Sequence, residues 1–91
     1  MPKEVDSRLR EAILQVVEAQ LRDNNPPATR ETFTRLINEG HSEEEAKKLI
    51  GYVVASEVFG VLREGRRYDE DSFTAKLGAL PQWPGVEESS E

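Results

Sequence analysis

The side chains in this sequence whose types and spacing can do chemistry are one histidine, one misplaced glutamate and one cluster of arginines. His41 and Glu45 stand four residues apart, a spacing that at a helix start puts an imidazole and a carboxylate on one side of a metal ion. Glu57 lies four residues after Val53, seven after Ile50 and eleven after Ala46, so it falls on the same stripe of an otherwise apolar helix. A carboxylate there must find a partner or reach water, because burying it alone is costly. One reading makes Glu57 a general base or ligand facing His41 or Tyr52 in a cleft, which gives His41 and Glu57 as catalytic candidates and His41, Glu45 and Glu57 as metal candidates. The other pairs Glu57 with Arg63, Arg66 or Arg67, or leaves it at the domain edge. The second is favoured because one His, no Cys and no Gly-rich phosphate loop give a catalytic group few companions. No Ser has a His and an acid at triad spacing.

Arg63, Arg66 and Arg67 beside Tyr68 can grip a phosphate or an acidic partner. They serve equally to complement the negative end of a preceding helix, and this plainer role carries more weight. Trp83, between Gln82 and Pro84, either folds back on the core or anchors another protein, since a large aromatic makes a good hot spot. Arg63, Arg66, Arg67 and Trp83 are therefore the interaction candidates.

Four helices are expected to position these groups. From Val5 to about Asn24, the residues Leu9, Ala12, Ile13, Val16, Val17 and Leu21 recur at spacings of three and four, the mark of an amphipathic helix capped by Asp6 or Ser7. Asp23-Asn24-Asn25-Pro26-Pro27 ends it. A shorter helix from about Thr29 to Glu39, capped by Thr29, offers Phe33, Leu36 and Ile37 as its buried face. Gly40 suits a left-handed stop, and Ser42 with Glu45 spells a capping box that opens a third helix running to about Arg63. Its middle, Leu49 to Ala55, is apolar almost all round, so this long helix belongs at the centre, with Gly51 and Gly60 permitting close approach of neighbours. After the loop Glu64-Gly65-Arg66-Arg67, Asp69 caps a fourth helix carrying Phe73, Leu77 and Leu80; Tyr68 and Phe73 form a hydrophobic staple and Pro81 ends the helix. The expected architecture is all-α: a small orthogonal or irregular four-helix domain over residues 1–81, with residues 82–91 an acidic, disordered tail.

Composition narrows the function. The chain has 91 residues, enough for one modest core and too few for a deep catalytic cavity. Of its net charge of -6, half comes from Glu87, Glu88 and Glu91, which no base accompanies. General affinity for nucleic acid needs an excess of cations and is not expected. A helix-turn-helix reading of the two helices around Gly40-His41 fails similarly, because the would-be reading helix is apolar in its middle. No apolar run approaches the roughly 20 residues that span a bilayer, and Met1-Pro2-Lys3-Glu4-Val5-Asp6 carries acids where a signal peptide needs an apolar block. Zero Cys fits a reducing compartment, so the cytoplasm is the expected location.

The segment Leu36-Ile37-Asn38-Glu39-Gly40-His41-Ser42-Glu43-Glu44-Glu45-Ala46-Lys47-Lys48-Leu49-Ile50 resembles the first turn region of ubiquitin-associated domains, with a Leu, a Gly-containing loop, a Ser cap and an Ala on the next helix. The resemblance implies ubiquitin-type binding. Over a longer span, Asn25-Pro26-Pro27, Thr32, Arg35-Leu36, Gly40-His41, Glu45-Ala46, Ile50, Glu57, Asp69 and Leu77 to Pro81 resemble small bacterial helical domains without an assigned activity, which implies an all-helical bacterial protein.

Together these readings lean against an enzyme and require no cofactor. The leading expectation is a protein-interaction or structural module with an unknown protein partner, a homodimer included, because four short helices leave apolar surface uncovered. A small metal-dependent or acid-base enzyme using His41, Glu45 and Glu57 is the alternative, and a helix-turn-helix nucleic-acid binder the second.

Overall fold

In the computed structural model, residues 2–82 are described, with side chains from residue 8 onward. They form four helices and no strand: α1 (Pro2–Asp23), α2 (Pro27–Asn38), α3 (Glu43–Glu64) and α4 (Glu70–Ala79). The expected all-α domain with a long third helix is what the chain builds. Of the expected tail over residues 82–91, only Gln82 is described; Trp83 and the residues after it lie outside the described residues.

Helix ends follow from local chemistry. Asn24 takes a left-handed φ of 53°, and the amides of Asn24 and Asn25 turn back to the carbonyls of Leu21 and Gln20, a Schellman stop ahead of the two prolines. Gly40 repeats the device at φ 106°, with the amides of Gly40 and His41 on the carbonyls of Ile37 and Leu36. Asp69 Oδ1 accepts from the amides of Asp71 and Ser72, and the Tyr68 and Phe73 rings meet at 6.0 Å as the staple requires.

Two caps differ from expectation. α1 is already helical at Pro2, so Asp6 and Ser7 are interior residues; proline at a first helical position supplies the φ the helix needs. α2 likewise starts at Pro27, with Pro26 as its uncapped flank. Thr29 is therefore buried within the first turn, its hydroxyl donating to Gln20 Oε1 at 2.9 Å.

α3 packs against all three other helices. Ile13 Cγ2 lies 3.3 Å from where a Cβ on Gly51 would sit, so this glycine does allow α1 to approach. Lys47 reaches Glu18 at 2.9 Å, while Gln20, only two residues on, lines a groove with Glu57 and Val61. The core comprises Val17, Leu36, Ala46, Ile50, Val53, Val54, Phe73, Leu77 and Leu80. Arg35 ties α2 to the end of α4 by donating to the carbonyls of Leu77 and Leu80 at 3.1 and 3.0 Å, at a terminus where the Leu77 carbonyl otherwise accepts only the Leu80 amide at 3.2 Å.

α3 is central without being surrounded. Tyr52, Val58, Phe59 and Leu62 are exposed, Leu62 by 72%. With α2 of 12 residues and α4 of 10, the short helices cannot wrap a rod of 22 residues on every side.

Candidate functional site

The structure brings together one of the two expected chemical pairs. His41 follows the left-handed Gly40, and its amide is spent on the Leu36 carbonyl; its ring Nδ1 then lies 3.3 Å from Glu45 Oε1. Ser42 Oγ accepts from the Glu45 amide at 3.0 Å, which is half of the expected capping box. The Glu45 carboxylate turns to His41 instead of completing the other half. With Glu45 60% exposed at its side chain, this contact is a surface tie across the α2–α3 turn.

Glu57 does not join it. Both glutamates ride the same helix twelve positions apart, which at 1.5 Å per residue is about 18 Å along the axis. Ligands of one ion must each lie within about 2 to 2.5 Å of it, so His41, Glu45 and Glu57 cannot share a metal or a substrate atom. Among the described residues no group of three or more His, Cys, Asp or Glu side chains could hold a metal ion. The metal set and the His41–Glu57 acid–base pair are thus not assembled, and Tyr52, exposed on α3, faces no cleft with Glu57.

What surrounds Glu57 is a cationic cage. The residue is only 3% exposed. Lys76 Nζ on α4 donates to its Oε2 at 3.0 Å, and the Ser72 hydroxyl donates to the same oxygen at 3.3 Å. Arg66 Nη1 stands 3.6 Å from Oε1, an ion-pair distance that is too long for a hydrogen bond, and Oε1 accepts none from the described residues. Of the three arginines proposed as partners, Arg66 is the one that arrives. Gly65, left-handed at φ 67°, ends α3 and sends the chain back along it; the Arg66 guanidinium then occupies the space a Cβ on Gly60 would need. Gly60 serves this side chain and not a neighbouring helix. Arg66 Nε also binds Glu64 at 3.0 Å, and Lys76 also donates to Ser56 Oγ at 3.1 Å.

Lys76 and Ser72 escaped the sequence reading because their approach to Glu57 depends on α4 folding back over α3. One signal was present: Ser72 and Lys76 are four apart on one face of α4, a polar edge beside the apolar Phe73 and Leu77.

Arg63 and Arg67 are exposed and take part in no ion pair among the described residues. Arg63 joins Arg66, Lys76, Phe59 and Glu64 around a depression of about 530 Å³ on one flank of α3. On the other flank, Val16, Val54, Val58, Leu62, Tyr68 and Phe73 line an apolar groove of about 310 Å³. Near its mouth, partial burial raises the pKa of the Tyr68 hydroxyl above 10, and the carboxylates of Glu70, Glu57 and Asp69 push it the same way.

Compared with family models, curated proteins and solved structures, the chain matches none of them. The two local resemblances therefore stand on their residues alone, and the functional reading rests on the surface just described. No helix among the described residues is long and apolar enough to cross a membrane.

Proposed function

We propose that this chain is a non-enzymatic protein-interaction module whose working surface is the C-terminal half of α3 with its two flanks. The observation that carries the reading is the row of exposed apolar side chains there, Val58, Phe59 and Leu62, beside Tyr68, set next to cations that the fold leaves without ion pairs. A monomer that exposes contiguous apolar surface rimmed by charge has the form of a binding face. The partner is a protein presenting apolar and acidic side chains; a second copy of the chain is the homodimeric form of the same reading. Nucleic acid is a poor candidate, because two of the three cations of the depression, Arg66 and Lys76, are already paired with Glu57 and Glu64, which leaves Arg63 alone to meet a phosphate. We place the module in the reducing interior of a bacterial cell, a setting that the lack of cysteine and the longer of the two resemblances support.

The test is a comparison of the native chain with Leu62→Glu, which alters a side chain that contributes almost nothing to the core. Sedimentation of the chain alone and mixed with clarified lysate should reveal a protein complex that the native chain forms and the variant does not. A native chain that stays monomeric at high concentration and forms no complex contradicts the proposal.

A further inference from the structure

We propose that the apolar groove between α1, α3 and Phe73 seats a tryptophan side chain presented by the partner protein, its indole N–H donating to Oε1 of Glu57. The inference rests on the interaction-module reading and names the group the partner inserts.

The groove has the lining such an anchor needs. Val54, Val58 and Val61 form its α3 wall, Val16 stands opposite on α1, and Tyr68 and Phe73 close it from the loop and α4. Its volume of about 310 Å³ is at the lower end for small-ligand sites and holds one bicyclic ring. Val16, Val58, Leu62 and Tyr68 are exposed, so a ring seated among them takes apolar surface out of water.

One wall carries an acceptor whose hydrogen bonds are half made. Glu57 lines this groove and not the depression on the other flank, from which Lys76 and Arg66 approach it. Its Oε2 is served by Lys76 and Ser72. Its Oε1 is buried, has Arg66 Nη1 at 3.6 Å, and accepts no hydrogen bond from the described residues. The carboxylate is also felt at the mouth of the groove: the Tyr68 pKa is raised by burial first, then by Glu70 and by Glu57 itself.

These charges select the occupant. A cationic group is opposed by Lys76 and Arg66, which already flank the carboxylate, and an anionic one by Glu57 with Asp69 and Glu70 near Tyr68. An uncharged ring with a donor fits. Indole N–H only donates, whereas a phenol oxygen also turns lone pairs toward the carboxylate. A water can serve Oε1 in the free chain; an indole replaces that bond and covers valine surface that a water leaves wet.

The probes are indole and indene, a ring of the same shape without the N–H, titrated into the full chain with isotope-labelled valine and leucine methyls and followed by NMR. Indole should shift Val54, Val58 and Val61 with a dissociation constant on the order of 1 mM. Indene should bind about fivefold or more weakly, since it leaves the acceptor without a donor. Val58→Phe, which fills the groove from an exposed position, should abolish the shifts, and in Glu57→Gln the preference for indole should shrink to about twofold; thermal melts verify that both variants fold. No shift with indole overturns the proposal, as does indene binding equally well, binding unchanged in Val58→Phe, or an undiminished preference in Glu57→Gln. Equal shifts at Leu9 and Leu14, which line a different α1–α3 pocket, overturn it too, since they mean indiscriminate apolar contact. Saturating indole should also dissociate the complex that the native chain forms in lysate. If that complex forms, is lost with Leu62→Glu and yet survives indole, the tryptophan assignment falls and the module stands; if indole binds the groove and no complex forms, the module falls and the partner's anchor with it.

Discussion

Removing Lys76 should destabilise the fold, and removing the charge of Glu57 as well should add no further loss. Lys76 Nζ and Glu57 Oε2 are 3.0 Å apart, a gross attraction of about 5 kcal/mol at an effective dielectric of 20. Most of that is offset by the desolvation of Glu57, whose side chain is 5% exposed. Cutting one partner from a wholly buried pair costs about 3 to 5 kcal/mol. Here Lys76 is a third exposed, the attraction is screened, and Arg66 at 3.6 Å remains as a second cation, so Lys76→Met should cost about 1 to 2 kcal/mol. Glu57→Gln keeps the shape and frees Lys76 and Arg66 to turn toward water, at about 1 kcal/mol. In the double variant the buried charge that suffers from the loss of Lys76 is gone, and the total should not exceed Lys76→Met alone. Urea unfolding followed by circular dichroism, with unchanged m-values, measures the cycle. In a domain of this size each kcal/mol moves Tm by about 4 to 8 °C. Single-variant losses that add to within about 0.3 kcal/mol would refute the cage.

Gly60→Ala tests the path of Arg66. The substitution gains about 1 kcal/mol of helix propensity, yet its Cβ takes the guanidinium's place, so the native chain should gain little while an Arg66→Ala chain gains the full amount, as chemical denaturation would show. Gly65→Ala should cost about 1 to 2 kcal/mol, because φ 67° is strained for a side chain, and Ser42→Ala about 1 kcal/mol through loss of its bond to the Glu45 amide; thermal melts of each read these directly. In a Tyr52→Phe background, spectrophotometric titration should place Tyr68 above pH 10, and Glu70→Gln with Asp69→Asn should lower it. Since the folded pKa lies above the unfolded one, the stability Tyr68 supplies is present below pH 10 and lost as pH rises through the folded value.

Much of the architecture was legible because punctuation in this chain is local. Gly40, Ser42, Asp69 and the Tyr68–Phe73 staple need only their neighbours in sequence, and each sits where its pattern placed it. The caps that differed, at Asp6, Ser7 and Thr29, lost to prolines that open a helix as readily as they close one. Glu57 was correctly marked as an anion that needs an answer, and Arg66 was among the answers offered. Lys76 and Ser72 were out of reach because they come from a helix whose return over α3 is a tertiary fact. The same holds for Arg35, whose guanidinium crosses more than forty residues to the end of α4. The apolar middle of α3 predicted a surrounded helix; hydrophobicity marks what can be buried, and the lengths of α2 and α4 decide how much is.

The central claim is that the exposed half of α3 binds protein. Affinity capture from native cells with the full chain, run beside the Leu62→Glu and Arg63→Glu double variant of matched thermal stability, tests it most directly. The account predicts a protein retained by the native chain and lost with the variant. Equal retention by both, or none by either, contradicts it.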